Sequence, residues 1–264
     1  MMQIVVFIKQ VPDNTKLKLG EGGSTWDGVP PNTPMMMNPY DEYALETALR
    51  LKEAAGENAT LTVMSLGVAS AKEIIKKAIA VGADQAFLIS DDAFNNADST
   101  TIAQALALSV KTLTPEAKIL VFGQMSLDDA NSQTGPKVAE LLGMPSLGFC
   151  KNAELAGDAL KVSREGDTGV ETHNVQLPAV VSMMKCDYEL RGSNIKGVMK
   201  ANKTEIPIKS AADLGLSGEQ LKAVSKTLKT WQRPEKEGGK IVQGDDPKAA
   251  VGELLGFLKE SKVL

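Results

Sequence analysis

Short apolar runs and amphipathic stretches alternate along the first half of the chain. Gln3–Ile8 is a continuous apolar run of the kind found in strands buried on both faces. Comparable runs recur at Thr60–Ser65, Gln85–Ile89 and Lys118–Gly123. Between them lie segments with apolar residues at helical spacing. The first opens at Asn38-Pro39-Tyr40-Asp41, with Asn38 as an N-cap, Pro39 at the first helical position and acidic residues at the positive end of the helix dipole. Ser70–Val81 and Thr100–Leu113 are the next two, the latter capped by Asp98-Ser99, and the segment after Gly123 runs helically to Leu142. Four strand–helix alternations predict an α/β fold, with a mostly parallel sheet flanked by helices.

The pattern changes at Ser146. Leu147–Asn152, Leu160–Arg164, Gly169–Leu177 and Ala179–Met184 read as short strands joined by tight turns, which predicts an antiparallel extension of the same domain. Asn194–Ala201 reads as a short helix, Ser217–Leu228 as a helical stretch, and Pro247–Lys259 as a final amphipathic helix. Asn14–Met37 is a long excursion rich in Gly, Pro, Asn and Asp, with a small hairpin expected through Lys16–Leu19 and Gly28–Val29. The boundaries drawn are 1–205 for an α/β domain and 206–264 for a C-terminal arm.

The stretch Ile119–Pro136 carries the main candidate chemistry. A buried strand ends in a polar loop holding Ser126, Asp128, Asp129 and Asn131, then feeds a helix through Ser132-Gln133-Thr134-Gly135-Pro136. The first N–H groups of such a helix have no partner within it and can bind an anion. Gly135 lets a ligand approach the backbone closely. On a parallel sheet this is also where ligands sit, outside the carboxyl ends of the strands. Neighbouring strands would bring the loops after Ile8, Ser65 and Gly123 together there. The alternative is an ordinary capped turn.

Composition removes several classes of function. The 264 residues carry 29 basic and 33 acidic side chains, a net charge of −4 that gives nucleic-acid binding no electrostatic support. A single histidine, His173, argues against a Ser-His-Asp site. Cys150 and Cys186 are far apart and lack CxxC spacing, so they are expected as reduced thiols of a cytoplasmic protein. The N-terminal apolar run reads as a strand rather than a signal peptide, and no run approaches the ~20 residues of a spanning helix. No P-loop or G-x-G-x-x-G fingerprint is present. Asp128 and Asp129 could hold Mg²⁺, although adjacent loop carboxylates are more often solvated.

Several segments, in order, are similar to the small (beta) subunit of electron transfer flavoproteins. They are Val6–Asp13 (VFIKQVPD), Asn38–Glu53 (NPYDEYALETALRLKE), Ala78–Ala83 (AIAVGA), Gly123–Pro136, Arg164–Glu171 (REGDTGVE), Leu177–Val181 (LPAVV) and Asn194–Ala201 (NIKGVMKA). The resemblance covers about three quarters of the chain. It implies a Rossmann-like, adenine-nucleotide-binding fold and a non-catalytic electron carrier in a heterodimer. The larger alpha subunit would hold the redox FAD, and beta would bury a structural AMP.

By motif position, Asn131, Ser132, Gln133 and Thr134 would hold the AMP phosphate, with Asp129 and Gly123 beside it. Phe7 and Leu66 would line the adenosine, and Asn38, Pro39 and Asp41 would close the pocket. Ser132 departs from the family's usual Asn-Gln-Thr order. The resemblance further implies that Leu190–Met199 docks acyl-CoA or other dehydrogenases, with Ile195 as apolar anchor beside Arg191 and Asn194. Arg164 and Glu165 would face the mobile alpha domain, Val11–Asn14 would approach the flavin, and the C-terminal arm would pack on alpha. Electrons would pass on to a membrane quinone oxidoreductase. A second branch of the family, which bifurcates electrons with NADH and holds a second FAD in place of AMP, stays open. So does a stand-alone nucleotide-binding module.

Overall fold

The computed structural model describes residues 2–15, 32–95, 97–226, 228, 238–239, 241 and 246–264. The chain divides into a first unit, residues 1–20 and 28–228, and a second unit, residues 21–27 and 229–264.

The first unit is built on a nine-stranded sheet among the described residues. Its parallel strands are β1 (Met2–Phe7), β4 (Ala59–Leu66), β5 (Gln85–Ile89), β6 (Ala117–Gly123) and β10 (Ala179–Met183), joined at one edge by β11 (Ile208–Lys209). On the other side β7 (Ser146–Ala156) leads into β8 (Ala159–Gly166) and β9 (Gly169–Gln176). The order is β11-β5-β4-β1-β6-β10-β7-β8-β9. The apolar runs are continuous because both sheet faces are covered. Ile4 and Val6 pack on one face with residues of α1 (Pro39–Ala55) and α2 (Lys72–Val81). Val5 and Phe7 pack on the other with α3 (Ser99–Leu113) and α4 (Thr134–Leu142). A separate antiparallel pair joins β2 (Gln10–Pro12), just before the expected excursion, to β3 (Met35–Met37) at its end, with Pro12 at the end of its strand.

Three sequence expectations need correction. First, β10 is not part of the antiparallel extension. It lies between β6 and β7 and is parallel to both. All five of its residues are buried, as an interior strand requires; sequence proximity to β9 is what suggested otherwise. The antiparallel part is β7–β8–β9 alone, and β7 serves both, its first half pairing with β10 and its second with β8. Second, among the described residues of Ser217–Leu228 only one helical turn forms, Gly218–Leu221. The N–H groups of Val224 and Ser225 donate instead to Asp98 Oδ2 at 3.0 and 2.9 Å, which draws them away from a helix. Third, residues 206–228 stay with the first unit, because β11 pairs with β5 and Ala211, Leu214 and Leu216 enter the core against α3. In the second unit, α6 (Pro247–Glu260) forms where the amphipathic pattern placed it, capped by Asp246. The hairpin expected through Lys16–Leu19 and Gly28–Val29 lies outside the described residues.

Asp98 ties two segments together. One carboxylate oxygen caps α3 through the Thr100 and Thr101 N–H groups, at 3.1 and 3.0 Å. The other holds Val224 and Ser225. Burial alone would raise its pKa, but these hydrogen bonds hold it down to about 2. Asp98→Ala is therefore expected to cost about 0.5–2 kcal/mol in urea unfolding near pH 7. A carboxylate with a depressed folded pKa stabilises fully above its unfolded pKa and loses that contribution as pH falls through about 2. The gap between wild type and variant should close on that side; a gap that widens at low pH would contradict the cap.

Candidate functional site

β4, β1 and β6 are neighbours, so the loops that follow Leu66, Phe7 and Gly123 converge at one edge of the sheet. They enclose an open-mouthed cleft at the carboxyl ends of these strands, the usual place for a small-molecule site on such a sheet. Phe7, Asn38, Asp41, Leu66, Gly123, Asp129, Asn131, Ser132, Gln133 and Thr134 all line it. Pro39 does not; it occupies the first turn of α1. The inner wall is apolar. Phe7 and Phe122 stack with ring centroids 4.3 Å apart, and Met64, Leu66, Ile102 and Leu106 complete it.

The rim at α4 is polar and supplies donors. Ala130 and Ser132 adopt left-handed backbone angles, φ 50° and 54°, while Gln133 is right-handed. Such alternation curls successive N–H groups into a concave anion-binding nest. α4 has no side-chain cap, contrary to the Ser cap of an ordinary turn. Among the described residues, the N–H groups of Ser132, Gln133, Thr134 and Gly135 donate to no protein acceptor. Pro136 has no N–H at all. Four free donors therefore gather at one helix start.

α3 approaches the same point. Ser99, which also lines the cleft, donates to Gln133 Oε1 at 3.0 Å. Lys137 Nζ donates to Ser99 Oγ at 2.8 Å and to Thr100 Oγ1 at 2.9 Å. Lys137 is not singled out by the sequence, and Ser99 reads there only as part of a helix cap: helical spacing puts Lys137 on α4 but cannot show that α3 starts beside it.

Opposite α4, the start of α1 is fixed to the ends of β1 and β6. Asn38 stands at the N-cap but makes no capping bond. Its side chain instead donates to Met125 O at 2.8 Å and accepts from Leu127 N–H at 3.2 Å, so it braces the loop after β6. Asp41 is buried and accepts the Lys9 N–H at 2.7 Å. A Cβ on Gly123 would collide with the Asp41 carboxylate and reach 2.8 Å from the Tyr40 carbonyl carbon, so only glycine fits there. Burial pushes the Asp41 carboxyl up to about 7, against the lowering effect of the Lys9 and Asn38 hydrogen bonds.

The loop acids serve the loop itself. Lys9 Nζ pairs with Asp128 at 2.7 Å and Asp129 at 3.6 Å, and Ser126 Oγ donates to Asp129 at 2.6 Å. Burial would raise Asp128, but the Lys9 hydrogen bond lowers it below the usual carboxylate range.

The other residues singled out from sequence lie away from the cleft. Ile195, at the start of α5 (Ile195–Lys203), is 81 % exposed, and Asn194 caps that helix by accepting the Gly197 N–H at 2.8 Å. Arg191 is turned inward onto α1, bonded to Glu46 and Glu53. Arg164 donates to Glu171 at 2.8 Å, and Glu165 pairs with Lys151 at 2.6 Å, both on the β7–β9 extension.

Comparison with known proteins gives concordant matches. Residues 31–214 match the family model described as electron transfer flavoprotein domain. The chain is 31 % identical to the electron transfer flavoprotein subunit beta of Megasphaera elsdenii over the full length of both. It is 29 % identical, again over both full lengths, to the caffeyl-CoA reductase-Etf complex subunit CarD of Acetobacterium woodii. It is 34 % identical to protein FixA of Azorhizobium caulinodans, covering 81 % of this chain and 77 % of that protein.

The raised pKa of Asp41 makes stability pH-dependent with a defined sign. Between its ordinary value of 3.8 and about 7, the folded state keeps a proton that the unfolded chain has released. Stability contributed here falls as pH rises through that window. Asp41→Asn keeps an acceptor for Lys9 N–H and removes the titration. Urea unfolding from pH 4.5 to 8 should therefore show the wild type losing stability relative to the variant as pH rises; parallel curves would contradict the assignment.

Proposed function

The chain belongs to the electron transfer flavoprotein family, and we propose that it works as the beta subunit of a heterodimer in which it holds a structural AMP while a larger alpha subunit carries the redox FAD. The chain is a carrier subunit in this reading and performs no catalysis of its own. The bound flavin supplies electron uptake and release. This chain supplies a nucleotide seat and docking surfaces.

The observation that carries the nucleotide reading is the set of free N–H groups at Ser132, Gln133, Thr134 and Gly135. They match a phosphate in charge and geometry, and the dipole of α4 adds to them. The stacked Phe7–Phe122 pair and Leu66 give an apolar wall suited to a flat base. Asn38, through its hold on Met125 and Leu127, keeps the loop above the base closed. Lys9 pairs with Asp128 and Asp129 and offsets one of their two negative charges, which lessens their opposition to a phosphate nearby. The exposed Ile195 is proposed as the anchor for an acyl-CoA or related dehydrogenase, and a membrane quinone oxidoreductase as the next acceptor. Arg164, Glu165 and the C-terminal unit are assigned to contact with alpha.

A second reading has a specific support. The likeness to a subunit of an Etf complex with caffeyl-CoA reductase favours a second FAD in the same cleft, in an NADH-linked bifurcating assembly. Acid release of nucleotides from the complex purified with its larger subunit separates the two. One FAD and one AMP per heterodimer is the expected result. Two FAD and no AMP would overturn the AMP reading and establish the second.

A further inference from the structure

α5 has nine residues, too few for a helix to persist in water by its own hydrogen bonds. It also buries little: Ala201 is its one buried residue, while Ile195, Val198 and Met199 are 81, 42 and 54 % exposed. Its shape must come from what it rests on. Gly197 lies directly on the backbone of α2, where a Cβ would run into the Ala80 carbonyl. Lys200 Nζ donates to the Ala83 carbonyl at 2.9 Å, just past the end of α2.

The approach to α5 is clamped as well. Arg191 gives its backbone N–H and Nε to Glu46 Oε2 at 3.1 and 3.0 Å, and one terminal nitrogen to Glu46 Oε1 at 2.9 Å. The other terminal nitrogen pairs with Glu53. The Glu46 side chain is only 4 % exposed and also accepts from Arg50 at 3.0 Å. Arg50 in turn lies 4.0 Å over the Tyr188 ring, whose hydroxyl shares a 2.8 Å hydrogen bond with Thr47. Two-point guanidinium–carboxylate contact fixes direction as well as distance. Residues 188–191 are thus fastened to α1 and deliver the chain to the Asn194 cap in one orientation.

We propose that Arg191, Gly197 and Lys200 are positioning residues that keep α5 folded before any partner arrives, so that its Ile195–Val198–Met199 face enters a partner's apolar pocket as a rigid body. This rests on the docking reading given above. The partner's chemistry follows from the helix: the exposed Lys196 and Lys203 lie along one side of the apolar face, so the receiving pocket has an acidic rim on that side. A helix that is already ordered adds no ordering cost to binding. Arg191 contributes by holding the helix rather than by touching the partner.

Arg191→Gln tests this in the full chain assembled with its larger subunit. Arg50 still neutralises Glu46 in the variant, so the fold should persist. Hydrogen exchange of the Ile195–Lys203 amides is expected to accelerate at least tenfold, with the α1 and sheet amides unchanged. Affinity for a purified acyl-CoA dehydrogenase that reduces the complex should fall about tenfold. Gly197→Ala should act in the same direction. Unchanged exchange in α5 would overturn the proposal, and so would faster exchange with unaltered affinity. Ile195→Ala keeps the two levels apart: if it leaves affinity unchanged, the docking reading fails together with the partner half of the proposal, while the exchange data, which need no partner, still decide the seat.

Discussion

The buried contact between the Asp41 carboxylate and the Lys9 N–H is the constraint on which the site depends. It fastens the first turn of α1 to the end of β1, and Gly123 lets β6 end directly beneath it. A side chain at position 123 would separate these elements. The burial that makes the contact possible also raises the Asp41 pKa, so the geometry is maintained by a carboxyl group poised between its two protonation states near neutral pH. Asn38 extends the same junction to the loop after β6. Ser132–Gly135 are thereby presented opposite the apolar wall, with their N–H groups uncommitted.

Most of the sheet was legible in the sequence because its interior strands are continuously apolar and its helices have clear starts and stops. β1, β4, β5 and β6 emerge from that pattern alone. β10 emerges as a strand too, but its place in the sheet does not, because periodicity reports burial and says nothing about which strand lies alongside. The five buried residues Ala179–Met183 fit equally well next to β9 or between β6 and β7; the actual order depends on contacts distant in sequence. Ser217–Leu228 failed for a related reason. Its local spacing suits a helix, but Asp98, more than 120 residues earlier, takes the N–H groups the helix would need.

The cleft was legible to a similar degree. Chain order alone pointed to the turn at Ser132–Pro136, since a strand entering a helix leaves donors unpaired. Family resemblance added Phe7, Leu66 and Asn38. Three features needed coordinates. Asn38 looks like a cap and acts as a brace. Asp41 looks like a dipole partner and is a buried latch. Arg191 reads as a surface contact and points inward to Glu46 and Glu53. In each case the residue type suits several roles, and the neighbour that chooses among them lies far away in the chain.

The measurement that bears most directly on the site is the response of the Ser132, Gln133, Thr134 and Gly135 amide signals by ¹⁵N nuclear magnetic resonance. The assembled complex would be stripped of nucleotide and titrated separately with AMP and with adenosine. If these N–H groups bind a phosphate, AMP should shift all of them strongly, while adenosine perturbs the residues around Phe7 and Leu66 and leaves these amides nearly unmoved. Equal responses to the two ligands, or none to AMP, would contradict a phosphate seat at the start of α4.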